Sequence, residues 1–161
     1  MQPGRLKIIG IGNPYAGDDG IGIELLHRLA GLLPASYEFH ESPHPGLELL
    51  EELNDQIPIV FLDAVVDAAP LGTVHWLEWE EQSEWTKEER LPSSHGFGVL
   101  EVMRLAQSLG QKLPPIYFVG VSIKASRPSN RISAELRQQL PDIAHWSRDH
   151  ILQAAQRHAA A

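Results

Sequence analysis

Three residues of this sequence, Asp19, Asp63 and His95, have side chains that together could bind a metal ion. Asp19 lies in a glycine-rich turn after a short apolar segment, and Asp63 interrupts the apolar run Ile59–Val66. A carboxylate in a buried strand is costly unless it is paired or binds a metal. His95 precedes a predicted helix, and imidazole is the commonest metal ligand. Two carboxylates and one imidazole leave coordination positions open and suit Ni, Zn, Fe or Mn.

Each of these residues also has an ordinary structural explanation. Asp18 or Asp19 could cap the helix that follows, because aspartate is a favoured N-cap residue. Asp63 could accept hydrogen bonds from backbone N–H groups after its strand. A single loop histidine such as His95 is more often solvated than functional. The hypothesis of a metal site therefore depends on whether the fold brings these residues together.

Three nearby polar residues are weaker candidates. His44 also follows a predicted strand and could be an accessory metal ligand. Asp18 could act as a general base, and Asn13 could donate a hydrogen bond to a peptide backbone.

The glycine-rich first loop does not match two common phosphate-binding motifs. A dinucleotide-binding loop would need a third glycine where Tyr15 stands. Gly12 and Gly17 have the spacing of a phosphate loop, but Asp18 and Asp19 follow in place of Lys and Ser or Thr. Two carboxylates would repel a phosphate at a helix N-terminus and suit a cation. The sequence also lacks the HExxH motif of zinc peptidases and the GxSxG motif of serine hydrolases.

The composition predicts a globular protein and narrows the chemistry available to it. The 161 residues are 43% hydrophobic and fit one domain, residues 1–161. The absence of cysteine excludes disulfides, thiolate metal sites and cysteine catalysis. A formal net charge of −8 argues against nucleic-acid binding. No signal peptide and no membrane-spanning run is evident, so we expect a cytoplasmic protein that does not bind a membrane.

Strands and helices alternate along the chain, which predicts an α/β fold. The predicted strands are Lys7–Ile11, Tyr37–Glu41, Ile57–Val66, Thr73–Trp79 and Pro115–Ile123. The predicted helices begin at Ile21, at Pro45, at Gly96 and after Ser133, which should cap a final helix that Pro141 interrupts or kinks. The expected architecture is three-layer α/β/α, with a twisted, mostly parallel sheet of about five strands. Ligands of such sheets bind beyond the carboxyl ends of the strands, where Asp19, Asp63 and His95 are expected.

Several motifs resemble those of the hydrogenase maturation proteases. These endopeptidases trim the C-terminal extension from the large subunit of [NiFe]-hydrogenases. The resemblance covers nearly the whole chain and is carried by Ile8–Asn13, Gly17–Gly22, Phe61–Val65, Ser93–Gly98 and Val119–Val121.

The resemblance implies a mainly parallel sheet between helical layers, with metal-binding residues at Asp19, Asp63 and His95. It also implies that the nickel recognised belongs to the substrate precursor, so that the protease completes the coordination of an ion delivered by its partner. A precursor without nickel would then escape cleavage. The segment Ser42–Gly46 departs from the family pattern, because the threonine expected there is missing.

No nucleophile stands out, so the sequence favours direct attack by water, with the metal polarising the carbonyl or activating the water and a carboxylate as general base. Two other functions fit the same residues. One is a metal-dependent hydrolase of small molecules, and the other is a non-catalytic nickel or assembly chaperone.

Overall fold

The computed structural model of the chain describes residues 4–79 and 98–159. Five strands form one sheet: β1 (Lys7–Ile11), β2 (Glu38–Ser42), β3 (Ile59–Val66), β4 (Val74–Trp79) and β5 (Ile116–Ile123). The helices are α1 (Ile21–Ala30), α2 (Leu49–Glu52), α3 (Val99–Ser108) and α4 (Ala134–Ala159), and a 3₁₀ turn, Gly17–Gly20, precedes α1. The strand order is β2-β1-β3-β5-β4, in which β4 pairs antiparallel with β5 and the other pairs are parallel.

The sheet is covered on both faces, which confirms the predicted three-layer α/β/α fold. Every residue of β1 and β5 is buried, as expected for parallel strands between helical layers. One apolar cluster joins the sheet to α1 and α4, and a second joins it to α2 and α3. Within β3, Leu62 and Ala64 belong to the first cluster and Phe61 to the second, so strand alternation places Asp63 on the face of α2 and α3.

Helix α4 begins as predicted but continues through its proline. The Ser133 hydroxyl accepts a hydrogen bond from the Leu136 backbone N–H at 3.3 Å, which confirms the N-cap. Pro141 lies inside the helix, so it does not interrupt the helix, and the alternative of a kink stays a prediction. Leu140 and Ile143, on either side, are buried in the core. This packing outweighs the roughly 3 kcal/mol that an internal proline costs a helix.

The helix predicted from Pro45 is much shorter than expected. Only Leu49–Glu52 is helical. The sequence pattern predicts an apolar face of Leu47, Leu50 and Leu53: Leu53 is buried and Leu50 packs against the second cluster, but Leu47 is 61% exposed and Leu49 is buried in addition. Gly46 follows Pro45 directly and is a poor helix former, so the helix starts after Leu47.

Helix α3 begins three residues later than predicted and ends at a glycine as predicted. Gly110 has φ +79° and donates its backbone N–H to Gln107 O at 2.9 Å, while Gln111 N–H bonds Ala106 O at 3.0 Å. This pair of bonds is a Schellman motif, which favours glycine because of the positive φ. The polar and acidic stretch Glu80–Arg90, which the sequence predicts to be a loop, lies outside the described residues.

No helix in residues 4–79 and 98–159 is long and apolar enough to cross a bilayer. That residues 1–161 form a single domain stays a prediction.

Candidate metal-binding site

Asp19 lies beyond the carboxyl end of β1, in the 3₁₀ turn that leads into α1. The residue is 3% exposed, and its Oδ2 accepts a hydrogen bond from the Asn13 backbone N–H at 3.2 Å. Gly12 has φ +148°, and a Cβ at that position would lie 2.2 Å from the Asp19 carbonyl oxygen. A glycine at position 12 therefore allows the turn to pack directly against the end of β1.

The start of α1 packs equally tightly against β1 and β3. A Cβ at Gly22 would lie 2.1 Å from the Ile11 carbonyl oxygen and 2.5 Å from the Leu62 carbonyl oxygen. Leu62 directly precedes Asp63, and the 3₁₀ turn that carries Asp19 contacts β3. This close approach holds the turn against the strand that carries the second carboxylate.

Asp63 lies where β3 continues beyond the end of its pairing with β1. The pairing of these two strands ends at Gly10 and Leu62, so Asp63 is the first residue of β3 beyond it. On its other side Asp63 pairs in register with Gly120 of β5. Its Oδ1 accepts the Ala64 backbone N–H at 2.8 Å, and the residue is half-buried. The structure thus brings Asp19 and Asp63 to the same edge of the sheet.

Asp18 supports helix α4 and does not cap α1. Its Oδ1 accepts the Ser133 backbone N–H at 2.5 Å, and its Oδ2 accepts the Ser133 hydroxyl at 3.0 Å. The N-cap residue of α1 is Gly20, and no side-chain hydrogen bond caps that helix. A carboxylate beside the N-terminus of α4 is also favoured by the helix dipole. These contacts favour a structural role for Asp18.

The first loop is also fixed by the loop that follows β5. Gly17 N–H bonds Ser129 O at 2.9 Å, and Ser129 N–H bonds Tyr15 O at 3.0 Å. Within the first loop, the Asn13 side-chain oxygen accepts the Tyr15 N–H at 2.9 Å and closes a local turn. The position of Asp19 is therefore held from both sides by backbone hydrogen bonds.

Two other predicted metal ligands, His44 and His95, make no described contact with Asp19 or Asp63. His44 is exposed in the loop after β2, and β1 lies between β2 and β3. His95 lies outside the described residues. Within the ranges 4–79 and 98–159, no group of three or more His, Cys, Asp or Glu side chains is placed to hold a metal ion. The three-residue site at Asp19, Asp63 and His95 stays a prediction.

A second polar cluster at the same edge was not singled out from the sequence. His75 Nε2 lies 3.1 Å from Asp67 Oδ2 and 3.0 Å from Ser122 Oγ. Asp67 directly follows β3, which is the sequence signal that could have identified it. His75 stands between the apolar residues Val74 and Trp76, and this alternation indicates a strand but does not mark His75 as a functional residue.

The chemistry available at this edge is that of oxygen and imidazole donors. Carboxylates held by backbone N–H groups, as at Asp19 and Asp63, are suited to bind a divalent cation or to accept a proton from water. The position beyond the carboxyl ends of parallel strands is where α/β sheets bind their ligands.

The chain is similar to several known proteins, although no family model matches it. It is 27% identical over 127 residues to protein FrxA of Pyrococcus furiosus, an alignment that covers 78% of this chain and 89% of FrxA. It is 28% identical over 112 residues to the hydrogenase expression/formation protein HupD of Rhodobacter capsulatus, covering 68% of this chain and 53% of HupD. The chain thus spans about half the length of HupD.

The same resemblance appears in three dimensions. The [NiFe] hydrogenase maturation protease HybD from Thermococcus kodakarensis superimposes with a TM-score of 0.70 and 25% identity, covering 90% of this chain and 97% of that one. The predicted resemblance to the hydrogenase maturation proteases and the predicted fold class are both confirmed.

Proposed function

We propose that this chain, which shares its fold with hydrogenase maturation proteases, is an endopeptidase that removes the C-terminal extension of a [NiFe]-hydrogenase large-subunit precursor. The observation that carries the proposal is the placement of Asp19 and Asp63 at one edge of the sheet, beyond β1 and within β3. HybD and HupD, whose names refer to hydrogenase maturation or formation, support the choice of substrate.

Recognition of nickel is the finer part of the proposal. The ion belongs to the precursor, and Asp19, Asp63 and His95 supply oxygen and nitrogen ligands to it after its insertion. His95 is three residues before Gly98, the N-cap of α3, and α3 packs on the sheet face that carries Asp63. Binding of the loaded precursor at this edge would position its scissile peptide bond beside the two carboxylates.

Cleavage then proceeds by attack of water on the scissile carbonyl carbon. A carboxylate at the edge accepts a proton from the water as the new C–O bond forms. The C–N bond breaks, and the amide nitrogen leaves with a proton. The resulting products are the mature large subunit and the released C-terminal peptide. We place this reaction in the cytoplasm and in a single domain, residues 1–161, as the sequence indicates.

The proposal is tested by incubating the purified chain with a nickel-loaded large-subunit precursor and weighing the products by mass spectrometry. We expect the wild type to remove the C-terminal peptide. The rate should fall at least about 100-fold in Asp19→Asn, Asp63→Asn and His95→Ala, because loss of a residue that only supports a metal ligand already lowers metal affinity or activity about 10- to 100-fold. The control is Asp142→Asn, at an exposed position of α4.

Two results would contradict parts of the proposal. A precursor that binds but is not shortened would indicate an assembly chaperone. Processing that survives all three substitutions would overturn the site assignment.

A further inference from the structure

Three basic side chains are concentrated in the loop that follows β5. Lys124, Arg127 and Arg131 are all exposed, and residues 123–133 include no aspartate or glutamate. Within residues 4–79 and 98–159, no ion pair joins any of the three to a carboxylate. The loop therefore presents three positive charges to solvent on a chain whose formal net charge is −8.

This loop is fixed at the sheet edge that carries the candidate site. It leaves the carboxyl end of β5, and its Ser129 forms a parallel bridge with Ala16 of the first loop. A Cβ at Gly17 would lie 2.8 Å from the Arg127 carbonyl oxygen, so the backbones of the two loops are in close contact. Gly17 begins the 3₁₀ turn that carries Asp19. The basic side chains are therefore held beside the candidate site.

An exposed aromatic side chain lies next to the basic loop. Tyr15 is 74% exposed, and its carbonyl oxygen accepts the Ser129 backbone N–H at 3.0 Å. Tyrosine and arginine are enriched where protein surfaces bind each other. Four residues thus form a basic rim with the composition of a protein-binding surface: Tyr15, Lys124, Arg127 and Arg131.

The charge distribution gives this rim a directional effect on a partner. Asp18, the neighbouring carboxylate of the first loop, is already engaged, because both of its oxygens bond Ser133. The chain as a whole is acidic, so an acidic partner is repelled by the molecule at large and attracted at the rim. Such complementarity raises the association rate and favours one orientation of the partner. In that orientation the partner faces the edge with Asp19 and Asp63.

We propose that the basic rim is a docking surface for an acidic surface segment of the precursor. The inference rests on the proposed function, which supplies the partner, and it adds a recognition element that does not involve the metal. Arginine can hold a carboxylate through two parallel hydrogen bonds, and Tyr15 packs against the docked surface. A nucleic acid, the other polyanion that a basic loop can bind, is less favoured because the acidic remainder of the chain repels an extended phosphate backbone.

The test measures the association of the purified full-length chain with immobilised nickel-loaded large-subunit precursor by surface plasmon resonance. The first variant combines Lys124→Gln, Arg127→Gln and Arg131→Gln. We expect it to associate about tenfold more slowly than the wild type at about 50 mM NaCl, and less than about twofold more slowly at about 500 mM, because salt screens exposed charges. A variant with Lys124→Arg, Arg127→Lys and Arg131→Lys keeps the three charges and should associate as the wild type does.

The matched control removes the same number of charges at the amino ends of the strands. It combines Arg5→Gln, Arg28→Gln and Lys112→Gln: Arg5 precedes β1, Arg28 lies in the last turn of α1, Lys112 precedes β5, and all three are exposed. Its association rate should stay within about threefold of the wild type. Tyr15→Ala should associate normally and dissociate about tenfold faster, as expected for an aromatic anchor.

Three results would overturn the proposal. Equal slowing by the two glutamine variants would show an effect of net charge alone, and association of the wild type that does not respond to salt would exclude an electrostatic rim. Binding of a DNA duplex of about 20 base pairs with a Kd below about 1 µM at about 150 mM NaCl, lost in the first variant, would assign the rim to nucleic acid. Peptide release is scored separately by mass spectrometry: a wild type that associates through the rim but shortens no precursor would contradict the proposed function and leave the docking surface standing.

Discussion

Asp18 and Asp19 are adjacent carboxylates with different surroundings. Asp19 is buried at the end of β1 and accepts a backbone N–H from Asn13. Asp18 points to the N-terminus of α4, where both of its oxygens bond Ser133. Two neighbouring acids can therefore serve separate purposes, one in the candidate site and one in the attachment of the final helix.

We predict that Asp18→Ala lowers the free energy of unfolding by about 2 kcal/mol, because two hydrogen bonds at a helix N-terminus are lost. Urea unfolding followed by circular dichroism would measure this. Asp142→Ala, an exposed carboxylate of the same helix, is the control and should change stability by less than about 0.5 kcal/mol.

Asp18→Asn separates the structural role from catalysis. The amide oxygen can still accept a hydrogen bond from Ser133, but the side chain cannot act as a base. We expect processing within about tenfold of the wild type, whereas loss of a general base would cost roughly 100-fold or more. A loss of that size would restore Asp18 as a catalytic candidate.

At the scale of elements, the site depends on how closely the first turn and α1 approach the sheet. Gly22 faces the carbonyl oxygens of both Ile11 and Leu62, and these backbone atoms cannot move independently of β1 and β3. The contact fixes α1, and with it the turn that carries Asp19, against the strand that carries Asp63.

We predict that Gly22→Ala destabilises the fold by about 3 kcal/mol through this overpacking, despite the better helix propensity of alanine. Gly31→Ala is the matched control. Gly31 ends the same helix with φ −85° and ψ −8°, and its added Cβ would meet nothing nearer than 3.6 Å. Equal stability of the two variants in urea would show that the helix does not pack as described.

Sequence patterns predicted the strands and helices correctly where the residues that favour the element locally are also the ones buried in the fold. The apolar segments gave β1, β3 and β5 to within two residues, and Asp63 stood out because it breaks one of them. The α2 prediction failed because Pro45 is compatible with a helix start but Gly46 is not favourable within one. The contacts of His75 with Asp67 and Ser122 could not be predicted, because they depend on the strand order β3-β5-β4 and on the register of β4 against β5.

At the scale of the whole molecule, the far end of α4 is attached to the sheet through a titratable pair. The Tyr117 hydroxyl and His158 Nε2 share a hydrogen bond of 2.6 Å. Burial, and then the nearby Arg157 guanidinium, lower the pKa of His158 below its usual 6.5. The unfolded chain therefore takes up this proton at a higher pH than the folded protein does.

The resulting stability is complete above about pH 6.5 and is lost as the pH falls through the lower pKa of the folded state. We predict that His158→Gln, which cannot be protonated, loses less stability than the wild type between pH 7.5 and pH 5. Urea unfolding at both pH values measures the difference. His145→Gln should retain the wild-type pH dependence, and identical pH dependence in His158→Gln would contradict a role for this pair.

The most direct test of the proposed function compares two forms of one substrate. The purified chain is incubated with a [NiFe]-hydrogenase large-subunit precursor prepared with nickel and, separately, without it, and mass spectrometry follows the C-terminal peptide. We predict that the nickel-loaded precursor is shortened and that the nickel-free precursor stays intact. Equal cleavage of both forms would contradict nickel recognition, and cleavage of neither, with nickel loading verified, would contradict the protease assignment.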